Sequence, residues 1–190
     1  MPPIQEKVQK ISLKKIHYAV MTDEITEEHG EVKTLTMSIE LTLTPNFSEA
    51  GFDAGDRQVA YETQLDSITI AGQLADLPTA VMVDWYGHQM SDEGGVITNV
   101  NDEANYVAIG FESGAKIVWI YKSKFTPTEE TNSTKVKGET TFKQTGFSGE
   151  ALPLGDGLIR YTLRTDDENV TVTPETFFAD VTKPTVTPVP

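Results

Sequence analysis

The sequence predicts an all-β protein, an antiparallel β-sandwich or β-barrel with one short flanking α-helix. Two observations carry this prediction, and a third limits what can hold the fold together. The chain has 25 threonines and many valines and isoleucines, and these residue types favour strands. Apolar and polar residues alternate at period two over several segments, as in strands with one buried face. Cysteine is absent, so the fold must depend on its apolar core rather than on disulfides or cysteine-bound metals.

The clearest alternation covers residues 32–43. Its apolar face consists of Leu35, Met37, Ile39, Leu41 and Leu43, and its polar face of Thr34, Thr36, Ser38, Glu40 and Thr42. Residues 63–74 repeat the pattern, with Ile68, Ile70 and Leu74 on the apolar face. Both segments are therefore predicted to be half-buried strands.

A hairpin is predicted over residues 107–121, because two apolar runs flank the turn residues Ser113, Gly114 and Ala115. Its second strand, residues 116–121, is apolar on both sides, so we expect it to be buried on both faces. Two further strands are predicted at residues 134–145 and 158–163.

One segment, residues 77–86, breaks the period of two and predicts a short helix. Asp76 is suited to cap its start, Pro78 to its first turn and Gly87 to a left-handed end. The face predicted to pack on the sheet consists of Leu77, Val81 and Trp85, spaced four apart.

The length predicts one domain, or one domain with an appendage. Residues 1–12 are predicted to be an N-terminal arm, residues 13–181 the β domain, and residues 182–190, rich in proline and threonine, an extended C-terminal tail. Residues 46–59 are polar and rich in glycine, so they are predicted to form a loop. A loop of this length in a compact domain is usually functional or disordered.

Charge and hydropathy exclude several classes of protein. With 15 Lys+Arg against 29 Asp+Glu the net charge is −14, whereas proteins that clamp nucleic acid need a Lys/Arg footprint. An acidic protein can still handle DNA by repelling it.

No apolar run reaches the roughly 18 residues of a membrane span, and the N-terminus lacks the basic start of a signal peptide. We expect a soluble protein without membrane contact.

The sequence lacks the common catalytic and nucleotide-binding motifs. It contains no G-x-S-x-G elbow, P-loop or G-x-G-x-x-G motif. The three histidines, His17, His29 and His88, lie far apart. Residues 53–56 and 99–103 contain oxygen ligands of the type that Ca²⁺ binds, but not at EF-hand spacing, so we interpret them as solvated loops. We expect no enzymatic activity, no metal site and no cofactor.

Three stretches of the chain carry a family resemblance. They are residues 13–19 (Leu-Lys-Lys-Ile-His-Tyr-Ala), residues 75–78 (Ala-Asp-Leu-Pro) before a short helix that ends at Gly87-His88, and residues 106–111 (Tyr-Val-Ala-Ile-Gly-Phe) followed by 118–122 (Val-Trp-Ile-Tyr-Lys). Together they resemble the phi13-type major tail proteins of long-tailed, non-contractile bacteriophages and prophages. Their order and spacing agree across roughly residues 13–165, which is most of the chain.

The resemblance implies a β domain of the tail-tube type in a structural virion protein. Six copies of such a protein close into a ring, and rings stack into the tube through which DNA leaves the capsid. It implies assembly in the bacterial cytoplasm, a place in the virion tail, and contacts with tape-measure, terminator and baseplate proteins. DNA would pass without specific binding, since the repeated negative charge keeps it from adhering to the wall.

Candidate residues for this role follow from the predicted elements. The loop at residues 46–59 is predicted to contact the neighbouring ring through Phe47, Phe52, Asp53 and Arg57; the simpler interpretation of this segment is a solvated hairpin tip. The candidates for the channel wall are Glu40, Asp66 and Glu139, all on predicted strands. The same alternation describes any solvated sheet face, whether inside or outside a channel. In a regular strand Asp66 lies on the same face as Ile68 and Ile70, unless the strand begins after Asp66.

A second hypothesis comes from another class of protein. A soluble β-sandwich that serves as a recognition or capsid-decoration module of a virion has the same composition and strands. It would expose an aromatic cluster for its ligand, whereas most aromatic residues of this chain lie in patterns that bury them. Rings or tubes in negative-stain micrographs favour the tail protein, and a dispersed monomer at high concentration favours the module.

Overall fold

The computed structural model of the protein describes residues 13–35, 38–54, 57–129 and 144–185, and within residues 51–61 it describes the backbone alone. The predicted N-terminal arm therefore lies outside the described residues. The strands are β1 (Leu13–Asp23), β2 (Glu28–His29), β3 (Lys33–Leu35), β4 (Ser38–Ala54), β5 (Arg57–Leu74), β6 (Gln89–Met90), β7 (Val96–Ile97), β8 (Tyr106–Ser113), β9 (Lys116–Pro127), β10 (Thr145–Leu152) and β11 (Arg160–Arg164). The helices are α1 (Thr79–Tyr86) and α2 (Pro174–Phe177). The predicted all-β class with a short helix is confirmed.

The main sheet is antiparallel and curled. Its strands follow the order β2, β1, β8, β9, β10, β5, β4, with β3 beside β1 and β11 beside β9. Only residues 36–37 separate β3 from β4, yet β3 pairs with β1 towards one end of this order and β4 pairs with β5 at the other. The sheet therefore curls so that β3 and β4 come close together, and its concave face encloses the core.

Helix α1 packs into the enclosed core. Trp85 is fully buried, and its ring stacks on Phe125 of β9 with the ring centroids 4.3 Å apart. Phe147 of β10 meets the same indole edge-on at 5.2 Å. Leu77 and Val81 are also buried in this cluster. Val81 and Trp85 thus form a buried face of α1, as their spacing predicts, whereas Leu77 is buried from the stretch of chain before the helix begins.

The two ends of α1 compare differently with the prediction. The helix begins at Thr79 with Pro78 as its N-cap, so the predicted cap at Asp76 is wrong, because that residue lies two positions too early. At the other end Gly87 has φ 69° and donates its N–H to the Val83 carbonyl, as predicted. A Cβ at position 87 would lie 1.9 Å from the Glu103 carbonyl oxygen, so only glycine fits.

The hairpin of β8 and β9 forms as predicted, and β9 is buried on both faces, with residues 117–121 fully inaccessible. Its side away from the main core is covered by the segment after β11, which includes α2. Trp119 Nε1 donates to the Phe177 carbonyl at 3.0 Å, and the Tyr121 hydroxyl donates to the Thr182 carbonyl at 2.7 Å. The chain as far as Thr182, the first residue of the predicted tail, thus packs against β9.

The predicted loop at residues 46–59 is wrong. Residues 46–54 continue β4, residues 57–59 begin β5, and the two strands pair along their whole length. The predicted strand at residues 32–43 is likewise divided between β3 and β4, and a register shift between Ser38 and Glu40 leaves Ile39 45% exposed. Apolar–polar alternation indicates a strand with one buried face. It does not predict a strand whose two faces are both solvated, and it gives the wrong face where a bulge shifts the alternation by one residue.

Strand β10 was not predicted. Its sequence includes Gly146 and Gly149, and glycine is unfavourable inside strands. A Cβ at position 149 would lie 2.5 Å from the Phe125 ring, so the stacking of Phe125 requires this glycine. The predicted strand at residues 134–145 lies almost wholly outside the described residues. Strand β11 confirms the strand predicted at residues 158–163, with its start moved to Arg160.

Candidate assembly surfaces

Residues 47–65 of the β4–β5 hairpin, called the arm below, extend beyond the rest of the sheet. Strand β5 pairs with β10 from Ile68 to Leu74, whereas its pairing with β4 continues to Ala54 and Arg57. Along the arm, each strand has only the other as its partner within the described ranges. Eight residues of strand span roughly 25 Å, so the arm is a long two-stranded projection.

The arm exposes large apolar side chains. Phe47 and Leu65 lie opposite each other and are 57% and 36% exposed. Of the other residues predicted to contact a neighbouring ring, Phe52 pairs with Ala60, Asp53 with Gln58 and Arg57 with Ala54. A two-stranded ribbon is marginally stable alone, and its unpaired edges invite further pairing. A partner bound along the arm would stabilise the ribbon and cover its unpaired edges.

The sheet face that points away from the core along β4, β5 and β10 is called the polar face. Its side chains are Glu40, Thr42, Thr44, Asn46, Ser67, Thr69, Ala71, Gln73, Ser148 and Glu150. Asn46 Nδ2 donates to Ser67 Oγ at 3.0 Å and to Thr69 Oγ1 at 2.9 Å, and Ser67 Oγ donates to Glu150 Oε1 at 2.6 Å. This hydrogen-bonded array presents hydroxyls, amides and two carboxylates to solvent, with Lys124 opposite Glu150 at its border.

The predicted channel residues fall in different places. Glu40 is exposed on the polar face. Asp66 is exposed beside the arm and accepts a hydrogen bond from Ser48 Oγ at 3.0 Å. The register shifts there, since Asn46 pairs with Ser67 and Phe47 with Leu65, so Asp66 is the extra residue of a bulge and the parity argument does not apply to it. Glu139 lies outside the described residues.

A cavity of about 180 Å³ lies between α1 and the ends of β9 and β10. Asp76 and Glu129 line it with carboxylates, and Leu77 and Met82 line it with apolar surface. Tyr86 also lines it, and its buried hydroxyl has no hydrogen-bond partner among the described residues. Burial raises the pKa of Tyr86 to about 12. Sequence analysis missed this site, because the contacts that form it join segments far apart in the chain.

The arm and this cavity lie at opposite ends of β5. The arm occupies the start of the strand, and α1 follows within five residues of its end at Leu74. The molecule therefore has two unlike ends, with a projection at one end and a recess at the other.

Two histidines lie against the covered side of the sheet. His17 stacks on Phe178 with the ring centroids 4.1 Å apart, and its Nδ1 lies 2.9 Å from Thr34 Oγ1. His29 Nε2 lies 2.9 Å from the Tyr121 carbonyl, to which it donates. Burial lowers the pKa of both imidazoles. Each ring therefore has a packing role in the fold.

The third histidine, His88, pairs with Asp102 at 2.8 Å, and both side chains are more than nine-tenths buried. Asp102 also accepts the Asn99 backbone N–H at 2.7 Å. The bond from Asn99, with that from His88 second, lowers the pKa of Asp102. The acidic run at residues 99–103 is thus a turn whose carboxylate is satisfied within the chain. The described part of the chain holds no group of three or more ligating side chains placed for a metal ion.

No protein-family model matches the chain, and no curated protein matches its sequence. Within the described ranges, neither helix is long and apolar enough to cross a membrane. Function must therefore be inferred from the geometry of the chain itself.

Proposed function

We propose that the protein is the major tail subunit of a long-tailed bacteriophage, a structural protein that forms stacked hexameric rings around a DNA channel. The arm is the observation that carries this proposal. It projects roughly 25 Å, pairs only with itself in the described structure, and exposes Phe47 and Leu65. Contact with the next copy of the chain would cover this surface, and repetition of that contact builds a tube.

The two unlike ends of the molecule support stacking of one ring on the next. A contact between the arm end of one copy and the α1 end of another joins unlike surfaces, and such heterologous contacts build rings or open filaments. A symmetric dimer would satisfy both arms at once and stop growth. We infer head-to-tail growth from ring to ring, with six copies per ring taken from the family resemblance.

The polar face is the surface that best suits a channel wall. It is rich in hydroxyl and amide groups and exposes Glu40 and Glu150. Each copy contributes a net charge of −14, so a closed assembly repels the phosphate backbone while water lubricates its passage. In this role the protein belongs to the virion tail, assembles in the host cytoplasm and contacts the tape-measure, terminator and baseplate proteins.

Negative-stain microscopy of the purified protein at rising concentration tests the proposal. Rings or tubes are expected from the intact chain. A variant in which a two-residue Asn-Gly turn replaces residues 47–66 joins the paired residues Asn46 and Ser67 directly. It is expected to stay folded and dispersed, because it keeps the core and loses the arm. Normal tubes from that variant would contradict the proposal. A dispersed intact chain at high concentration would favour the alternative, a β-sandwich recognition or capsid-decoration module.

The channel wall has its own test. Glu40→Lys places six cations at one level of the channel if the polar face lines it, so tubes should still assemble but retain DNA in a salt-dependent manner. Glu93→Lys, an exposed change of equal charge in the turn before β7, is the matched control. If both variants bind DNA equally weakly at low salt, the polar face lies outside the channel.

A further inference from the structure

The arm meets the sheet at one pair of opposite residues, Asn46 of β4 and Ser67 of β5, called the root below. On the sheet side of the root, β5 pairs with β4 and, from Ile68 onwards, also with β10. On the arm side, β4 is its only partner among the described strands. The direction in which the arm leaves the sheet is therefore set at the root.

The amide of Asn46 holds the root. It donates one hydrogen bond across to Ser67 Oγ at 3.0 Å and a second diagonally to Thr69 Oγ1 at 2.9 Å. Since Thr69 lies opposite Thr44 rather than Asn46, the diagonal bond limits rotation of one strand against the other. Ser67 is 6% exposed and donates in turn to Glu150 Oε1 of β10 at 2.6 Å. Hydrogen bonds thus connect Asn46 to both β5 and β10.

The backbone pairing of the two strands is interrupted on the arm side of the root. Phe47 pairs with Leu65 there, so Asp66 has no residue opposite it and forms a bulge. A bulge disrupts the ladder and bends its strand, which makes it a point where a ribbon can change direction. Side-chain hydrogen bonds flank this bulge, from Asn46 on the sheet side and from Ser48 Oγ to Asp66 Oδ1, at 3.0 Å, on the arm side. These bonds hold the bend where the backbone pairing is interrupted.

We propose that Asn46 is a positioning residue for assembly, because its amide fixes the angle between the arm and the sheet. An arm that swung freely at the bulge would lose conformational freedom on binding another copy, and that loss weakens binding. A fixed arm presents Phe47 and Leu65 in the same direction in every copy. Asparagine suits the position because its amide supplies two N–H donors. This inference rests on the proposed function, since it explains how the arms of one ring are held ready for the next.

A distance measurement between two spin labels tests the positioning in the unassembled chain. The natural chain has no cysteine, so Thr63→Cys on the arm and Gln73→Cys on the sheet, both exposed positions, attach labels at those two sites alone. The two sites lie on β5 with the bulge between them, roughly 33 Å apart along the strand. We expect a narrow distribution of distances in this chain and a broad one once Asn46→Ala is added.

Two further variants sharpen the measurement. Thr44→Ala is the matched control, because Thr44 is exposed on the same face of β4 and lies outside the hydrogen bonds of the root, so its distribution should stay narrow. Thr69→Val removes the diagonal acceptor alone and should also broaden the distribution, which decides the question if Asn46→Ala does not fold. A distribution that stays narrow in either Asn46→Ala or Thr69→Val would overturn the inference.

Assembly is measured on the unlabelled variants by negative-stain microscopy at rising concentration. Asn46→Ala is expected to raise the concentration at which tubes form at least about tenfold, because a mobile arm must be ordered at each contact. Thr44→Ala should leave that concentration unchanged. Tubes of Asn46→Ala at the wild-type concentration would overturn the inference and leave the tail-tube proposal standing. A wild-type chain that never forms tubes would refute the tail-tube proposal, and a distribution broadened by Asn46→Ala would still support the role of Asn46 in holding the arm.

Discussion

The β8–β9 hairpin and the β4–β5 hairpin are both long antiparallel pairs, yet β9 is buried on both faces and the arm of β4–β5 is solvated. Their neighbours explain the difference. Strand β9 lies between β8 on one side and β10 and β11 on the other, and the segment around α2 covers its outer face. Strand β5 pairs with β10 only from Ile68 to Leu74, and before Ile68 its only described partner is β4.

This contrast shows that the sequence of a strand reports what covers its faces. Residues 117–121, Ile-Val-Trp-Ile-Tyr, are apolar in succession because both faces are covered. The arm has a polar, glycine-containing sequence, and its described side chains, at residues 47–50 and 62–65, are exposed. The first hairpin stabilises the folded chain, and we infer that the second is available for assembly. The following experiments test that division.

The largest loss of stability is expected for Trp85→Ala, which empties the site between β9 and β10. Trp85 is fully buried and contacts Phe125 and Phe147, so its removal should lower the free energy of unfolding by about 3–5 kcal/mol. Urea denaturation followed by circular dichroism measures the change. Val100→Ala, at a site 96% exposed, is the control and should stay within about 0.5 kcal/mol of wild type. An unchanged Trp85→Ala midpoint would contradict this packing.

Phe177→Ala tests whether the segment around α2 shields the outer face of β9. Phe177 is buried against Trp119 and Tyr161, and its loss should cost about 3 kcal/mol, the lower end for a buried Phe, because the end of the chain can relax. The emission of Trp119 should also shift to the red as water reaches the indole. Recording the spectra on a Trp85→Phe background isolates that signal. An unshifted spectrum would show that Trp119 is protected by other parts of the molecule.

Acidification should weaken the covered side of the sheet. His17 and His29 have pKa values lowered from 6.5 by burial, so as pH falls through 6.5 the unfolded chain takes up protons before the folded chain does. Stability should therefore decrease from pH 7.5 to 5.5, a range above the pKa values of the carboxyl groups. Urea midpoints across this range measure the slope, and His17→Gln with His29→Gln should flatten it. A slope that persists in the double variant would assign it to other groups.

The smallest effect on folding is expected in the arm. Phe47→Ser removes an apolar side chain that is 57% exposed, so the free energy of unfolding should change by less than about 0.5 kcal/mol. Assembly, in contrast, should be lost, because we propose that this side chain contacts the next copy. Ile25→Ser, at a residue 94% exposed in the turn after β1, is the matched control and should change neither property. Loss of stability without loss of assembly would reverse the roles of the two hairpins.

Local patterns were sufficient for several elements. The β8–β9 turn, the left-handed end of α1 at Gly87 and the buried face of Trp85 all follow from residues within a few positions of one another. The arm was misjudged because the absence of alternation in its sequence has two causes, a loop or a ribbon solvated on both faces. Its candidate residues Phe47 and Arg57 nevertheless lie on the projection that we propose for assembly.

The sequence by itself determined the buried sides of α1, of β9 and of the second half of β5, because burial imposes a short-range pattern on residues that share a face. Only the tertiary structure decided which strands become neighbours. Gly149 is needed because Phe125 packs against it from another strand, the bulge at Asp66 depends on its register with β4, and the cavity exists because Asp76, Tyr86 and Glu129 come together. These contacts join residues far apart in the chain, so no local period records them.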